Sequence, residues 1–370
     1  MSPILESILD LCESLGASDV HLAVDQTPRF RVRGDLVDTG NFRPFDVKSV
    51  DAIAVELGLF TLPIGAGEGT ERVRLKLLKD GAIDGAMTAR SGARYRFNVF
   101  REQNRHAVAL RRLDSTFRSF DALGLPPRLA EFCGERDGLV IVTGPTGSGK
   151  STTLATMIDQ INRTRPGHVV TIEDPIEYLH ASQRCLVNQR QVGRDTTSFG
   201  AALVEALRQD PDVILVGEAR DIETVRTALR AAETGHLVFT TLHSGDCPGA
   251  VERLVSLFPA DEQPGARRQL SLVLRGICAQ HLLPSADRST RHPACELLVN
   301  TPAAANLIAT GRSAQLYSVI ETGAAAGMTS LDRSLARLLA AGRIDERTAM
   351  AHAHSPDQLA GVLRMGGVRC

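Results

Sequence analysis

The sequence predicts an α/β protein with a mainly parallel sheet, preceded by a smaller α+β domain. Three observations carry that expectation. From Gly138 onward, apolar runs alternate with amphipathic stretches: "GLVIVTG", "STTLATMIDQINR", "HVVTIED", "FGAALVEALRQD", "DVILVGE", "IETVRTALRAAETG" and "HLVFTTLH". Continuous apolar runs suit strands covered on both faces, as when helices flank a parallel sheet. Before residue 113 the strand-like segments instead alternate polar with apolar residues. Between the two regions a Pro-Pro pair and a glycine interrupt any periodicity.

In chain order, Ile4, Leu5, Ile8, Leu9, Cys12 and Leu15 fall on one face of an N-terminal helix ended by Gly16. Its other face carries Glu6, Asp10 and Glu13 rather than lysines, so the helix is expected to pack on its own domain and not on a membrane. "SDVHLAV", "RFRVRGDLV" and "ARYRFNVF" read as strands, the first two separated by the turn-like "DQTP". One helix and these strands make the small domain, residues 1–112. Residues 113–137 read as an interdomain linker. The strand and helix alternation then defines a second domain, 138–370, with a mostly helical C-terminal part in which Leu331, Leu335, Leu338 and Leu339 form one stripe.

The bulk numbers exclude several classes. A chain of 370 residues holds two domains of ordinary size. With 42 Lys+Arg against 43 Asp+Glu the net charge is −1, so no overall basic excess points to nucleic acid or anionic membrane. The cysteines Cys12, Cys133, Cys185, Cys247, Cys278, Cys295 and Cys370 form no Cys-x-x-Cys pair, which argues against a disulfide framework or a structural zinc site and for a reducing cytoplasm. The acids of the first helix do not fit an export signal, and no run of about 18 apolar residues offers a membrane span.

"GLVIVTGPTGSGKST" carries the most specific chemistry. Gly144, four residues, then Gly149-Lys150-Ser151 follow a strand and open a helix, the context of a phosphate-binding P-loop. Glycines let successive backbone N–H groups face one oxyanion, and the helix N-terminus adds partial positive charge. Gly144, Pro145, Thr146, Gly147, Ser148, Gly149, Lys150, Ser151 and Thr152 are therefore the nucleotide-binding candidates. Lys150 is expected at the β/γ-phosphates of ATP and the Ser151 hydroxyl on Mg²⁺. In "DVILVGEAR", Glu218 ends a buried strand, preceded by Gly217 where many P-loop proteins keep an aspartate. A lone glutamate there suits polarising an attacking water.

"HVVTIEDPIEY" delivers Glu173, Asp174 and Glu177 toward the same strand-end edge, with Pro175 stopping the strand. Glu173 is the candidate to order magnesium, directly or through water; a solvated acidic loop is the competing account. His236 and His243 bracket "LVFTTL" at about 23 Å, too far apart to share a metal. Each is a candidate for sensing nucleotide or neighbour state, or an ordinary hydrogen-bonded histidine.

Taken together, "GASDVHL", "GPTGSGKST", "TIEDPIEY", "QDPDVILVGEARD" and "AAETGHLVFTTLH", in this order and spacing, resemble the ATPases of type II secretion and type IV pili, and within them the retraction subfamily. The resemblance covers roughly residues 4–355 and extends to "CLVNQRQVGRDTTSF" and "GMTSLDRSL". It implies a RecA-like ATPase domain after a PAS-like N-terminal domain, a homohexameric ring, and cytoplasmic residence at the inner membrane through protein partners. Those partners are an inner-membrane platform protein and a second pilus motor ATPase, with no nucleic acid. The stretch matching 171–178 is that family's "Asp box" and that matching 234–243 its "His box". Glu218 matches the catalytic glutamate; in the "His box", His243 is a further catalytic candidate and His236 a nucleotide-binding one. Two N-terminal-domain arginines that contact nucleotide phosphates match Arg96 and Arg111, with Arg94, Arg105 and Arg112 nearby.

A guanidinium donated from one domain to a nucleotide held by the other would couple hydrolysis to rotation about the linker. Two departures bear on role. The four-cysteine zinc insert usual in extension and secretion members is absent, which favours retraction. The charged C-terminal helix of retraction members is replaced by "AAANLIATG" at 303–311. An accessory or assembly ATPase, a RecA-type nucleic-acid motor and a nucleotide-gated scaffold without turnover are the competing functions.

Overall fold

The structure, a computed structural model, describes residues 1–62, 69–113 and 116–364. Asp114, Ser115 and Cys370 of the segments discussed above lie outside the described residues. The chain divides into two compact units. The first comprises Met1–Thr116 with Asp174–Leu179 and Arg190–Thr197, and the second comprises the remainder.

In the first unit, helix α1 (Pro3–Ser14) begins where the Ser2 side chain accepts from the Leu5 N–H, with proline at the first helical position. Leu5, Ile8, Leu9 and Cys12 are buried, whereas Ile4 and Leu15, at the margins of the predicted stripe, are exposed at 37% and 36%. Strands β1 (Asp19–Leu22), β2 (Arg29–Val32) and β3 (Asp35–Asp38) follow. "RFRVRGDLV" is thus a hairpin and not one strand. Arg33 and Gly34 both have positive φ, 52° and 97°, which lets Val32 face Asp35 across a two-residue turn.

Helices α2 (Val47–Leu59) and α3 (Gly69–Asp80) come next, so among the described residues this unit has three helices where one was predicted. Strands β4 (Ala82–Thr88), β5 (Arg94–Glu102) and β6 (Arg105–Leu113) complete a six-stranded antiparallel sheet of order β3-β2-β1-β6-β5-β4. Phe30, Tyr95, Phe97, Val99, Val108 and Leu110 pack with the buried faces of the helices in one core.

The second unit begins with two short helices, α4 (Phe120–Leu123) and α5 (Arg128–Phe132), inside the segment read as a linker. Phe120, Leu125, Leu129 and Phe132 are buried, which gives that segment a packing role the Pro-Pro pair had masked. Next come β7 (Gly138–Thr143), α6 (Lys150–Thr164), β8 (Gly167–Glu173), β9 (Cys185–Gln191), α7 (Phe199–Ala206), β10 (Val213–Val216), α8 (Ile222–Glu233) and β11 (Leu237–Leu242). Every residue of β7, β10 and β11 is buried, the packing that makes their sequences continuously apolar.

After α9 (Cys247–Val255) and α10 (Gln263–Val273) the chain departs from the predicted helical C-terminus. It runs straight from α10 into β12 (Leu274–Pro284) and returns in β13 (Arg291–Val299), an antiparallel pair added to the sheet. The sheet order is β13-β12-β7-β11-β10-β8-β9, and β12, β7, β11, β10 and β8 are mutually parallel. Helices α11 (Pro302–Ala309), α12 (Leu316–Thr322), α13 (Leu331–Ala340), α14 (Glu346–His352) and α15 (Pro356–Arg364) follow. Leu331 and Leu335 of the predicted stripe are buried in a cluster with Leu283, Ala294 and Ile344, against which Leu338 and Leu339 pack.

Candidate active site

The parallel register aligns four strand ends on one rim. Thr143 of β7 faces Leu242 of β11, Thr240 of β11 faces Val216 of β10, and Val216 faces Ile172 of β8. Gly144, His243, Glu218 and Glu173 therefore leave the sheet from its carboxyl edge, where open α/β sheets bind ligands.

On β7 the chain turns through Gly144, Gly147 and Gly149 with φ of 146°, 78° and 90°. At Gly144 a Cβ would overlap the Gln280 carbonyl oxygen and come within 2.6 Å of Ser148 Oγ, so only glycine fits. Pro145, Thr146 and Gly147 form an exposed crest, while Ser148 is buried with its Oγ unpartnered. Helix α6 starts at Gly149 without a side-chain cap, whereas α7, α8, α9, α11 and α13 are each capped by a serine, aspartate or threonine oxygen. The first-turn N–H groups of α6 and its positive dipole end are left for an anion.

Lys150 Nζ folds over the loop and donates to the carbonyls of Gly144 (2.9 Å) and Pro145 (3.1 Å). Burial lowers its pKa, opposed by the nearby Glu218 carboxylate. Ser151 is exposed and Thr152 half-buried on the same turn. A glycine wall, an open helix end and an ammonium fit a polyphosphate.

Glu218 Oε1 lies 2.7 Å from Arg220 Nε and 3.2 Å from His243 Nε2. Burial pushes the carboxyl up, but Arg220 and His243 outweigh it and hold the pKa below the ordinary value. The Ser244 N–H donates to Thr143 Oγ1 at 2.8 Å, tying the segment after His243 to the strand that delivers the loop. The absence of an aspartate before Glu218 has a steric reason. A Cβ at Gly217 would sit 3.1 Å from the Ile172 carbonyl oxygen and 3.4 Å from Glu173 Cα, so the backbone of β8 occupies the space.

Glu173 Oε1 accepts from Thr171 Oγ1 (2.7 Å) and Gln189 Nε2 (3.2 Å) at the end of β8. Asp174 and Glu177 belong to the segment Asp174–Leu179, which groups with the first unit, where the Ile176 carbonyl accepts from Arg94. His236 lies at the other end of β11 from His243, as the spacing along the strand implies. It precedes β11 at the opposite, amino edge of the sheet, where its Nδ1 donates to the Ala231 carbonyl at 3.0 Å and closes the end of α8. It therefore does not line the phosphate loop of its own chain.

In the first unit Arg96 and Arg111 are direct cross-strand partners on β5 and β6, and Asp19 of β1 faces Arg111 in turn. Arg111 Nε donates to Asp19 Oδ1 at 2.7 Å. Like charges directly opposite one another are unfavourable in a sheet unless an anion offsets them. Arg94 is buried, Arg112 is half-buried and Arg105 pairs with Asp25; Arg96 and Arg111 are both exposed, Arg111 paired with Asp19. Arg220 was missed in the sequence because nothing in "GEARD" says that its side chain turns back two residues.

A glycine-rich anion cradle at one strand end, with a carboxylate at the end of the second strand over, is the arrangement of the P-loop ATPases, and this protein is an ATPase of that class. The chain belongs to the type II/IV secretion system protein family, whose model matches residues 4–347.

Among its relatives, the type IV pilus retraction ATPase PilT of Pseudomonas aeruginosa is 40% identical over 353 residues, 95% of this chain and 99% of that one. The type IV pilus ATPase PilU of the same organism is 36% identical over 361 residues, 98% and 91% of the two chains. A crystal structure of the pilus retraction motor PilT with bound ADP superposes with a TM-score of 0.86 at 41% identity, covering 96% of this chain and 98% of that one. Among the described residues no helix is long and apolar enough to cross a membrane.

Proposed function

We propose that the chain is a motor ATPase that disassembles a type IV pilus-like filament, working as a homohexameric ring at the cytoplasmic face of the inner membrane on a platform protein. A second pilus motor ATPase is a further partner. The observation that carries the reading is the rim itself: an anion cradle on β7 and a carboxylate on β10 kept ionised by Arg220 and His243. The full-length similarity to a retraction ATPase supports the biological assignment.

In this reading Gly144–Thr152 bind ATP, and Lys150 neutralises the β/γ-phosphates. Glu218 orients and deprotonates water, with His243 aligning the carboxylate. Ser151 and Glu173 are oxygen donors suited to Mg²⁺, which when bound neutralises phosphate charge. Arg96 and Arg111 supply guanidinium charge from the N-terminal domain, residues 1–112, so that nucleotide state sets the relation between domains.

Cells lacking the protein test the assignment: excess surface filaments that cannot withdraw support retraction, and bald cells would establish an assembly role. The uncharged 303–311 segment favours a second reading, an accessory motor. That reading predicts normal filament numbers and loss of withdrawal only under load.

A further inference from the structure

Gln280 is a polar residue buried on β12, 3% exposed, and no part of the chemistry above uses it. Its carboxamide touches the phosphate loop. Nε2 donates to the Ser148 carbonyl at 2.7 Å, and Oε1 accepts from Thr153 Oγ1 of α6 at 2.7 Å. The amide orientation follows from its partners. The Ser148 carbonyl can only accept, so the NH₂ group must face it and Thr153 must donate to the oxygen.

The same residue shapes the glycine positions. Its main-chain oxygen fills the space a Gly144 side chain would need, and Nε2 lies 2.8 Å from the Cβ position of Gly149. Both ends of the loop are thereby moulded on one glutamine. The carboxamide also sets a direction. In a trans peptide the C=O and the following N–H point oppositely. Drawing the Ser148 carbonyl inward to Gln280 turns the Gly149 N–H outward, away from the core, where an anion on the loop would meet it.

We infer that Gln280 is a positioning residue for nucleotide binding, which aims the Gly149 N–H by anchoring the Ser148 peptide from β12. The inference rests on the reading of the loop as an ATP site. A buried glutamine could instead serve only to satisfy polar groups between α6 and the sheet. That role would affect folding stability and leave nucleotide affinity alone.

Titration of a fluorescent ADP analogue, with thermal unfolding of the nucleotide-free protein alongside, separates the two. Gln280→Leu should weaken ADP binding on the order of 10-fold, as expected for losing an oriented bond and leaving a buried carbonyl unpaired. Thr153→Val removes only the Oε1 partner and should weaken binding about 3-fold, with the double variant no worse than Gln280→Leu because the two act through one carboxamide.

If Gln280→Leu does not fold, Thr153→Val carries the test. Affinity unchanged in Thr153→Val and in any folded Gln280→Leu, whatever their melting temperatures, overturns the inference and leaves the ATP reading standing. Failure of the unaltered protein to bind ADP overturns both.

Discussion

His243 Nε2 stands 3.2 Å from the same Glu218 oxygen that Arg220 Nε reaches at 2.7 Å. Two cationic or polar donors on one carboxylate oxygen leave the second oxygen for water. They also favour the ionised form, outweighing burial and holding the carboxyl below the ordinary glutamate range. Glu218→Gln retains shape and loses basicity. Turnover should fall on the order of 10²-fold or more with ATP affinity kept, measured by steady-state hydrolysis and equilibrium binding. Hydrolysis at the parental rate would remove Glu218 from the chemistry.

The Arg96 and Arg111 pair makes a prediction of opposite signs for stability and activity. Arg96→Gln relieves repulsion between direct cross-strand partners, so unfolding free energy should stay within about 0.5 kcal/mol of the parent or rise. If this guanidinium meets phosphate charge, kcat/KM should nevertheless drop by roughly 10-fold or more. A variant that hydrolyses ATP normally shows the row to be a solvated strand face.

Gly217 marks where β10 and β8 approach too closely for a side chain. Placing the aspartate common in other P-loop proteins there should cost about 1–3 kcal/mol through overpacking, read by denaturant unfolding, and should not raise turnover. A stable, faster Gly217→Asp variant would mean that β8 can yield.

His180 is buried against Phe117, ring centroids 4.8 Å apart, and burial lowers its pKa from 6.5 to about 4. The unfolded chain takes up this proton below pH 6.5, whereas the folded protein resists it until about pH 4. Stability is therefore lost as pH falls through that window, by roughly 2 kcal/mol at pH 5. His180→Phe keeps an aromatic ring against Phe117 and should flatten the stability profile between pH 7 and 5 by that amount. Parallel profiles for the two proteins would show the ring to be solvated.

Much of the second unit was legible because its chemistry is local. Gly144–Ser151 must be contiguous to make a cradle, and strands buried on both faces must be apolar throughout, so both leave marks along the chain. β12 and β13 left none. "LRGICAQHLLP" and "RHPACELLV" carry glycine, histidine and proline within the strands, and α10 passes into β12 without a turn signal. α3 was likewise missed, since only Val73 and Leu77 are buried among its charged residues; α2 was missed although Val50, Ile53, Ala54, Val55 and Leu57 are apolar and buried.

The amino-acid sequence alone determined the phosphate loop, the strand carrying Glu218 and the class of sheet, since each depends on residue type at fixed short spacing. Only the tertiary structure decided that β12 brings Gln280 under the loop, that Arg220 and His243 meet on one Glu218 oxygen, and that Asp174–Leu179 groups with the first unit. Those outcomes depend on strand order, register and the path of the chain between strands. They come from packing between segments distant in sequence, which no spacing along the chain encodes.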